Sequence, residues 1–208
     1  MPWIRNHRGW LSLLLTACAI CSADNASPSR QELLANLRHG GYVILMRHAS
    51  SPREIPDAAH VNADNKGNER QLDDSGIQSA QTMGKALHHL GITIGQVLSS
   101  PTYRALQTVK LAQFGQAATF PELGDGGQSM QTDSSGTRAA WLMSRVAKVP
   151  LDGTNTVIVT HFPNIMEAYR QSADGLADGE ALILKPDGHG GAPVVSRLKI
   201  DEWATLDR

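Results

Sequence analysis

The stretch Tyr42-Val43-Ile44-Leu45-Met46-Arg47-His48-Ala49 decides how the rest of the chain is read. Tyr42 to Met46 are apolar without a break, Val43 and Ile44 are β-branched, and Gly40-Gly41 precedes them. A short run bounded by glycine is the pattern of a strand buried on both faces, as in a parallel sheet. The run then ends abruptly in a guanidinium and an imidazole. Open α/β sheets bind their ligands beyond the carboxyl ends of the strands, so Arg47 and His48 are the first candidate site residues. Taken alone, the pair reads more simply as a strand that stops at two polar surface residues. Later stretches change that weighing.

Upstream, Ser29-Arg30-Gln31-Glu32 has the Ser-x-x-Glu spacing of a capping box. Leu33, Leu34 and Leu37 follow on one side of a short helix that His39-Gly40-Gly41 ends. Further back, Arg5, His7 and Arg8 form a positive segment before the apolar run Trp10 to Ile20. That run is too short to span a bilayer, so a transmembrane anchor is not expected, and residues 1–23 read as a signal peptide cleaved before Asp24. A competing reading takes Leu15-Thr16-Ala17-Cys18 as a lipobox, with Cys18 lipidated as the new amino terminus. Either way the expected location is periplasmic or secreted, as a lipoprotein in the second case. Residues 24–208 then form one domain, large enough for a sizeable core.

Ordinary cleavage removes Arg5 and Arg8 and no acidic residue. Lys+Arg falls from 19 to 17 against 20 Asp+Glu, and the net charge goes from −1 to −3. A mildly acidic domain is a poor nucleic-acid binder, so any anion site must be a local concentration of cations. The same cleavage removes both cysteines, which leaves no disulfide, thiol nucleophile or thiolate metal site.

Downstream, Ser50 to Gln71 is polar, aperiodic and long enough to suggest a functional rim. Asp73 or Asp74 caps a helix carrying Ile77, Ala80, Leu87 and Leu90 and closed by Gly91; His88 and His89 at its end read as a solvated face. Val97-Leu98-Ser99 is a second strand, and Ser100-Pro101 starts a helix that runs to about Phe114. Ala118 to Phe120 is a third strand, Glu122 to Gly136 a second long loop, and Arg138 to Val149 a helix. Thr156 to Thr160 is the clearest β-run and again ends in histidine, His161, before a short helix from Pro163 to about Gln171. Ala181–Leu184 and Val194–Ile200, joined through Pro186 to Gly191, suggest an antiparallel hairpin at a sheet edge. Strand and helix alternate through most of the chain. The expected fold is therefore α/β, a mainly parallel sheet with helices on both faces and that C-terminal hairpin.

In such a sheet the ends of three strands fall on one edge and bring Arg47, His48, Arg104 and His161 to one pocket. Two guanidiniums and two imidazoles in one concavity are unfavourable without an anion, and a phosphoryl group suits the planar fork of arginine. At this point the chain resembles the histidine phosphatase superfamily, the phosphoglycerate-mutase-like fold. Arg47-His48-Ala49 resembles its Arg-His-Gly motif, with alanine in place of the glycine. Ser99 to Thr108 resembles its Ser-Ser-Pro-x-x-Arg-Ala-x-x-Thr stretch, and Thr160-His161 its second histidine. Leu72 to Ala80 resembles its Leu-x-x-x-Gly-x-x-Gln-Ala helix start.

The resemblance covers roughly Gly40 to Ile165, with the motifs in family order, and it implies roles. His48 is the nucleophile and forms a phosphohistidine. Arg47 and Arg104 grip the phosphoryl oxygens, and His161 donates to one of them. Glu122, in the loop after the third strand, protonates the leaving alcohol. Outside the matched motifs, Arg70 in the first long loop is a candidate extra anion contact, set against the plainer reading of a surface arginine. No metal or other cofactor is required, and the expected partner is a small-molecule phosphomonoester. The leading expectation is an exported phosphatase; the alternatives are a phosphomutase of the same fold and a non-catalytic phosphate- or phosphosugar-binding protein.

Overall fold

The computed structural model describes Met1, residues 27–125 and residues 135–208. The signal-peptide reading of residues 1–23, with its alternative at Cys18, lies apart from Met1 outside the described residues.

Among the described residues, six strands form one sheet. In chain order they are β1 (Val43–Arg47), β2 (Ile94–Ser99), β3 (Ala117–Thr119), β4 (Asn155–Thr160), β5 (Ala181–Leu184) and β6 (Val194–Leu198). In space the order is β3-β2-β4-β1-β5-β6. The pairs β2–β3, β2–β4 and β1–β4 are parallel; β5 runs antiparallel to both β1 and β6. The sheet is thus mainly parallel and ends in the hairpin expected from the turn residues 186–191.

Among the described residues five α-helices cover it: α1 (Arg30–His39), α2 (Asp74–His89), α3 (Tyr103–Leu111), α4 (Ser135–Val146) and α5 (Phe162–Tyr169). Alternation along the strands assigns them to faces. Ile44 and Met46 pack with Leu33 and Leu37 of α1, Met83 and Leu87 of α2, and Val109 of α3. Val43 and Leu45, pointing the other way, pack with Leu142 and Val146 of α4 and Ile165 of α5. β1 and β4 are buried on both faces, which is why their sequences read as unbroken apolar runs. None of the helices among the described residues is long and apolar enough to cross a membrane.

Local chemistry sets the ends. Ser29 and Glu32 form the full capping box of α1. Asp73, not Asp74, caps α2 by accepting from the Gly76 N–H. Several elements differ from expectation by a residue or two at an end, and three of them start three residues away. β2 starts three residues early, at Ile94, because Ile94 and Gln96 pair with β4 across an irregularity at Gly95, a segment with no strand pattern of its own. α3 starts at Tyr103 rather than at Ser100-Pro101. Proline disfavours helical backbone at the residue before it, and the Ser100 N–H still bonds the sheet at Val159 O, 2.9 Å. α4 begins at Ser135 and stops at Val146, three residues to the N-terminal side of expectation at each end.

Candidate active site

The carboxyl ends of β1, β2 and β4 meet at one edge, and a cavity of about 630 Å³ opens over it. Arg47, His48, Arg104 and His161 all line that cavity, as does Arg70 from the long loop after β1. Ser51, Arg53, Phe162, Pro163 and Asp178 complete the lining among the described residues.

His48 is held by backbone on two sides. Its N–H donates to Thr160 O at the end of β4, 3.0 Å, and its carbonyl accepts from the Gly179 N–H, 2.9 Å. The next residue is tied to α3: the Ala49 N–H donates to Thr108 Oγ1, 3.1 Å, and that hydroxyl donates to Arg104 O, 2.9 Å. Thr108 therefore locks the helix that carries Arg104 to the strand end that carries His48. This gives a physical reason for an Arg-Ala-x-x-Thr spacing.

The imidazole of His48 is 4% exposed. Its Nδ1 lies 2.7 Å from Ala49 O, an acceptor only, so Nδ1 carries the proton. Nε2 then presents a lone pair, and Arg104 Nε donates to it from 3.3 Å. Burial, then the charges of Arg104 and Arg47, hold the His48 pKa down to about 3, against the pull of the Ala49 carbonyl. The ring is neutral at physiological pH.

His161 stands edge-on to it, with ring centroids 5.1 Å apart. Arg104 Nη2 approaches His161 Nδ1 at 3.3 Å and donates, so Nε2–H is the donor to Ser100 Oγ, 2.9 Å. Burial, then His48 and Arg104, push the His161 pKa well below its ordinary value. His161 therefore accepts on the nitrogen nearest Arg104. It becomes a donor there only on taking up a second proton, which an arriving phosphoryl dianion would favour.

Two carboxylates balance the arginines. Asp125, 1% exposed, ion-pairs with the equally buried Arg104 at 3.0 Å. It is placed by its neighbours: Thr160 Oγ1 donates to Leu123 O and Asn164 Nδ2 to Gly124 O, which pins the turn just before it. Asp178, in the connection before β5, ion-pairs with Arg47 at 2.5 Å and is the one carboxylate that lines the cavity among the described residues. Arg47 also donates to Leu176 O, 3.1 Å. Buried nitrogens remain over: Arg104 Nη1 and Arg47 Nε have no hydrogen-bond partner. Buried donors left in that state are costly, and an anion at this spot relieves the cost.

Glu122 does not join this group. It sits on a single 3₁₀ turn, Pro121–Leu123, half-buried and away from the cavity lining, with Oε2 enclosed and unpartnered. Leu123 is driven into the core beside α4 and α5, and that packing turns Glu122 off the cavity and leaves Asp125 to face Arg104. The carboxylate in contact with Arg104 is thus Asp125, three residues beyond the Glu122 of the sequence reading and on the same loop. Asp125 and Asp178 escaped that reading altogether, since each lies in a polar loop with no periodic signal. Their partners are remote: Arg104 is 21 residues from Asp125, and Arg47 belongs to another strand end.

With this geometry in view, comparison places the chain. Residues 43–124 match the model of the histidine phosphatase superfamily, branch 1. The fold is that of the histidine phosphatases. Among solved structures, the protein histidine phosphatase SixA complexed with tungstate superposes with a TM-score of 0.56 at 19% identity, over 77% of this chain and 98% of that one. A phosphoserine phosphatase from Entamoeba histolytica, with phosphoserine bound, gives 0.53 at 16% identity, over 76% and 97%. YhfR of Bacillus stearothermophilus gives 0.52 at 16%, over 74% and 94%. No curated protein sequence matches. At such identities the likeness concerns the histidine phosphatase fold, and the matched segment runs from β1 to the turn after β3, so it holds Arg47, His48 and Arg104.

Proposed function

We propose that this chain is a phosphatase that hydrolyses phosphomonoesters through a phosphoryl group carried on His48. The observation that carries this reading is the His48 tautomer: Nδ1–H is committed to Ala49 O, and the Nε2 lone pair faces a cavity ringed by arginines. Arg47 and Arg104 hold the phosphoryl oxygens and stabilise the charge of the transition state. The Nε2 lone pair forms the N–P bond as the P–O bond to the alcohol breaks. Water then attacks phosphorus, the P–N bond breaks, and the electron pair returns to Nε2. His161, protonated once the dianion is bound, supports a phosphoryl oxygen.

Proton traffic falls to Asp178 in this reading rather than to Glu122, because Asp178 faces the cavity. It takes up a proton from solvent as the dianion binds, gives it to the departing alkoxide, regains one from the attacking water and releases it to solvent as the product leaves. Asp178→Asn should lower turnover of an alkyl phosphate by about 10²–10⁴-fold and that of p-nitrophenyl phosphate far less, since a good leaving group needs no proton. Glu122→Gln should change both by only a few fold. The reverse ranking would return the donor role to Glu122. Export belongs to the same proposal, supported by the Arg5, His7 and Arg8 segment and the apolar run after it. Fractionation that finds the full-length chain in the cytoplasm would sink it.

A further inference from the structure

The cavity holds more cationic equipment than one phosphoryl group uses. Arg47 and Arg104 stand at His48, and each already has a carboxylate partner, Asp178 and Asp125. Two more guanidiniums line the same cavity from the loop after β1, Arg53 and Arg70. Arg70 is not loosely placed. Its Nε donates to Pro52 O at 2.6 Å and its Nη2 to Ser51 O at 3.1 Å. Those bonds clamp Arg70 to the backbone immediately before Arg53, so the two side chains are carried as a unit.

The loop that bears them is itself anchored. Asp64 accepts from Tyr103 Oη and from Lys110 Nζ on α3, at 2.5 and 2.7 Å, and Glu69 Oε2 accepts from the Tyr103 N–H at 3.0 Å. Arg53 makes no hydrogen bond or ion pair among the described residues, although it faces the cavity. Burial, then Arg104, push the Arg70 pKa down, with Asp125 opposing. Space agrees: 630 Å³ holds about twenty waters at about 30 Å³ each, far more than one phosphoryl group displaces.

We propose that Arg53 and Arg70 form a second anion subsite, and that the preferred substrates are phosphomonoesters bearing a second anionic group, a phosphate or carboxylate, some atoms from the scissile one. This rests on the phosphatase reading above for the word substrate, but the subsite is a binding claim and can be tested apart from turnover. Arg70 supplies the preorganised side, and Arg53, exposed and unengaged, closes on the incoming group as a planar fork.

The experiment uses matched pairs, the alkanediol bisphosphates of three to six carbons and the corresponding hydroxyalkyl monophosphates. Binding is measured by calorimetry on the full-length chain with His48→Ala, which prevents turnover. The best bisphosphate should bind at least about tenfold tighter than its monophosphate, the worth of one charge-assisted contact. Adding Arg53→Ala should bring that ratio below about twofold, and Arg53→Lys should restore part of it. Equal affinity of both ligands across the series overturns the subsite. So does a ratio that Arg53→Ala leaves intact. Turnover of p-nitrophenyl phosphate by the protein with His48 in place is followed in parallel; its failure would sink the phosphatase reading while the binding ratio still decides the subsite.

Discussion

Two imidazoles lie in this cavity and both are kept neutral by burial, which ties stability to pH. The sign follows from the proton count. In the unfolded chain each histidine titrates near its ordinary value of about 6.5; in the folded chain His48 is lowered to about 3 and His161 is lowered as well. Below about pH 6.5 the unfolded state binds protons that the folded state refuses, so folding weakens as pH falls, by up to about 1.4 kcal/mol per pH unit for each such group. Urea unfolding followed from pH 7.5 to 5 should show that slope. Phosphate should reduce it, because a bound anion raises both histidine pKa values. A flat profile would mean that both rings titrate in the folded chain as they do in the unfolded one, so that burial does not hold them neutral. These residues also mark how far the sequence could be read. His48, His161 and Arg104 follow apolar runs, and local pattern finds them. Asp125 and Asp178 are positioned by a turn and by a strand pairing, and no local pattern carries that information.

At the scale of elements, the site depends on how closely α2 docks against the strand end. Gly76, in its first turn, has room for no side chain: a Cβ there would lie 2.2 Å from Ser50 O, two residues after His48. The Asp73 N–H bonds the same carbonyl at 3.2 Å, so the cap and the contact form one joint. Gly76→Ala must push α2 or the 49–51 backbone aside. The expected cost is about 1–3 kcal/mol of stability, with a fall in kcat for p-nitrophenyl phosphate measured well below the melting temperature, because the backbone that sets the His48 tautomer moves. Full activity with a lowered melting temperature would show that the joint is structural alone. The glycine was legible as part of the Leu72 to Ala80 motif, whereas its reason, a backbone approach across the loop, was not. The late start of α3 has a similar cause: one hydrogen bond from Ser100 to the sheet outweighs the preference of proline for a helix's first turn.

For the whole molecule, the sheet separates a chemical edge from a structural one. At the opposite end of the strands Asn155 is fully buried and joins three elements. It accepts from the Tyr42 N–H at 3.2 Å and donates to Leu37 O at 2.8 Å and Thr93 O at 3.1 Å. Asn155→Leu leaves the Tyr42 N–H and Leu37 O without that partner, while Thr93 O keeps the backbone N–H of residue 155 at 2.9 Å; the cost is about 1–3 kcal/mol for each group orphaned. The melting temperature should fall by several degrees or more, while kcat of the folded fraction at low temperature stays as it was. Loss of kcat without loss of stability would break this division of labour. The parallel core was legible because β1 and β4 are apolar on both faces, and the hairpin because of its turn residues; the strand order came only with the structure.

Everything above makes Nε2 of His48 the atom that takes the phosphoryl group. The direct measurement is brief mixing of the protein with labelled p-nitrophenyl phosphate, a base quench and peptide mapping. The label should be acid-labile, stable to base and located on His48, absent in His48→Ala, and reduced but not moved in His161→Ala. Label on His161, Ser50 or Ser51, or turnover by His48→Ala equal to that of the unaltered protein, would contradict the account.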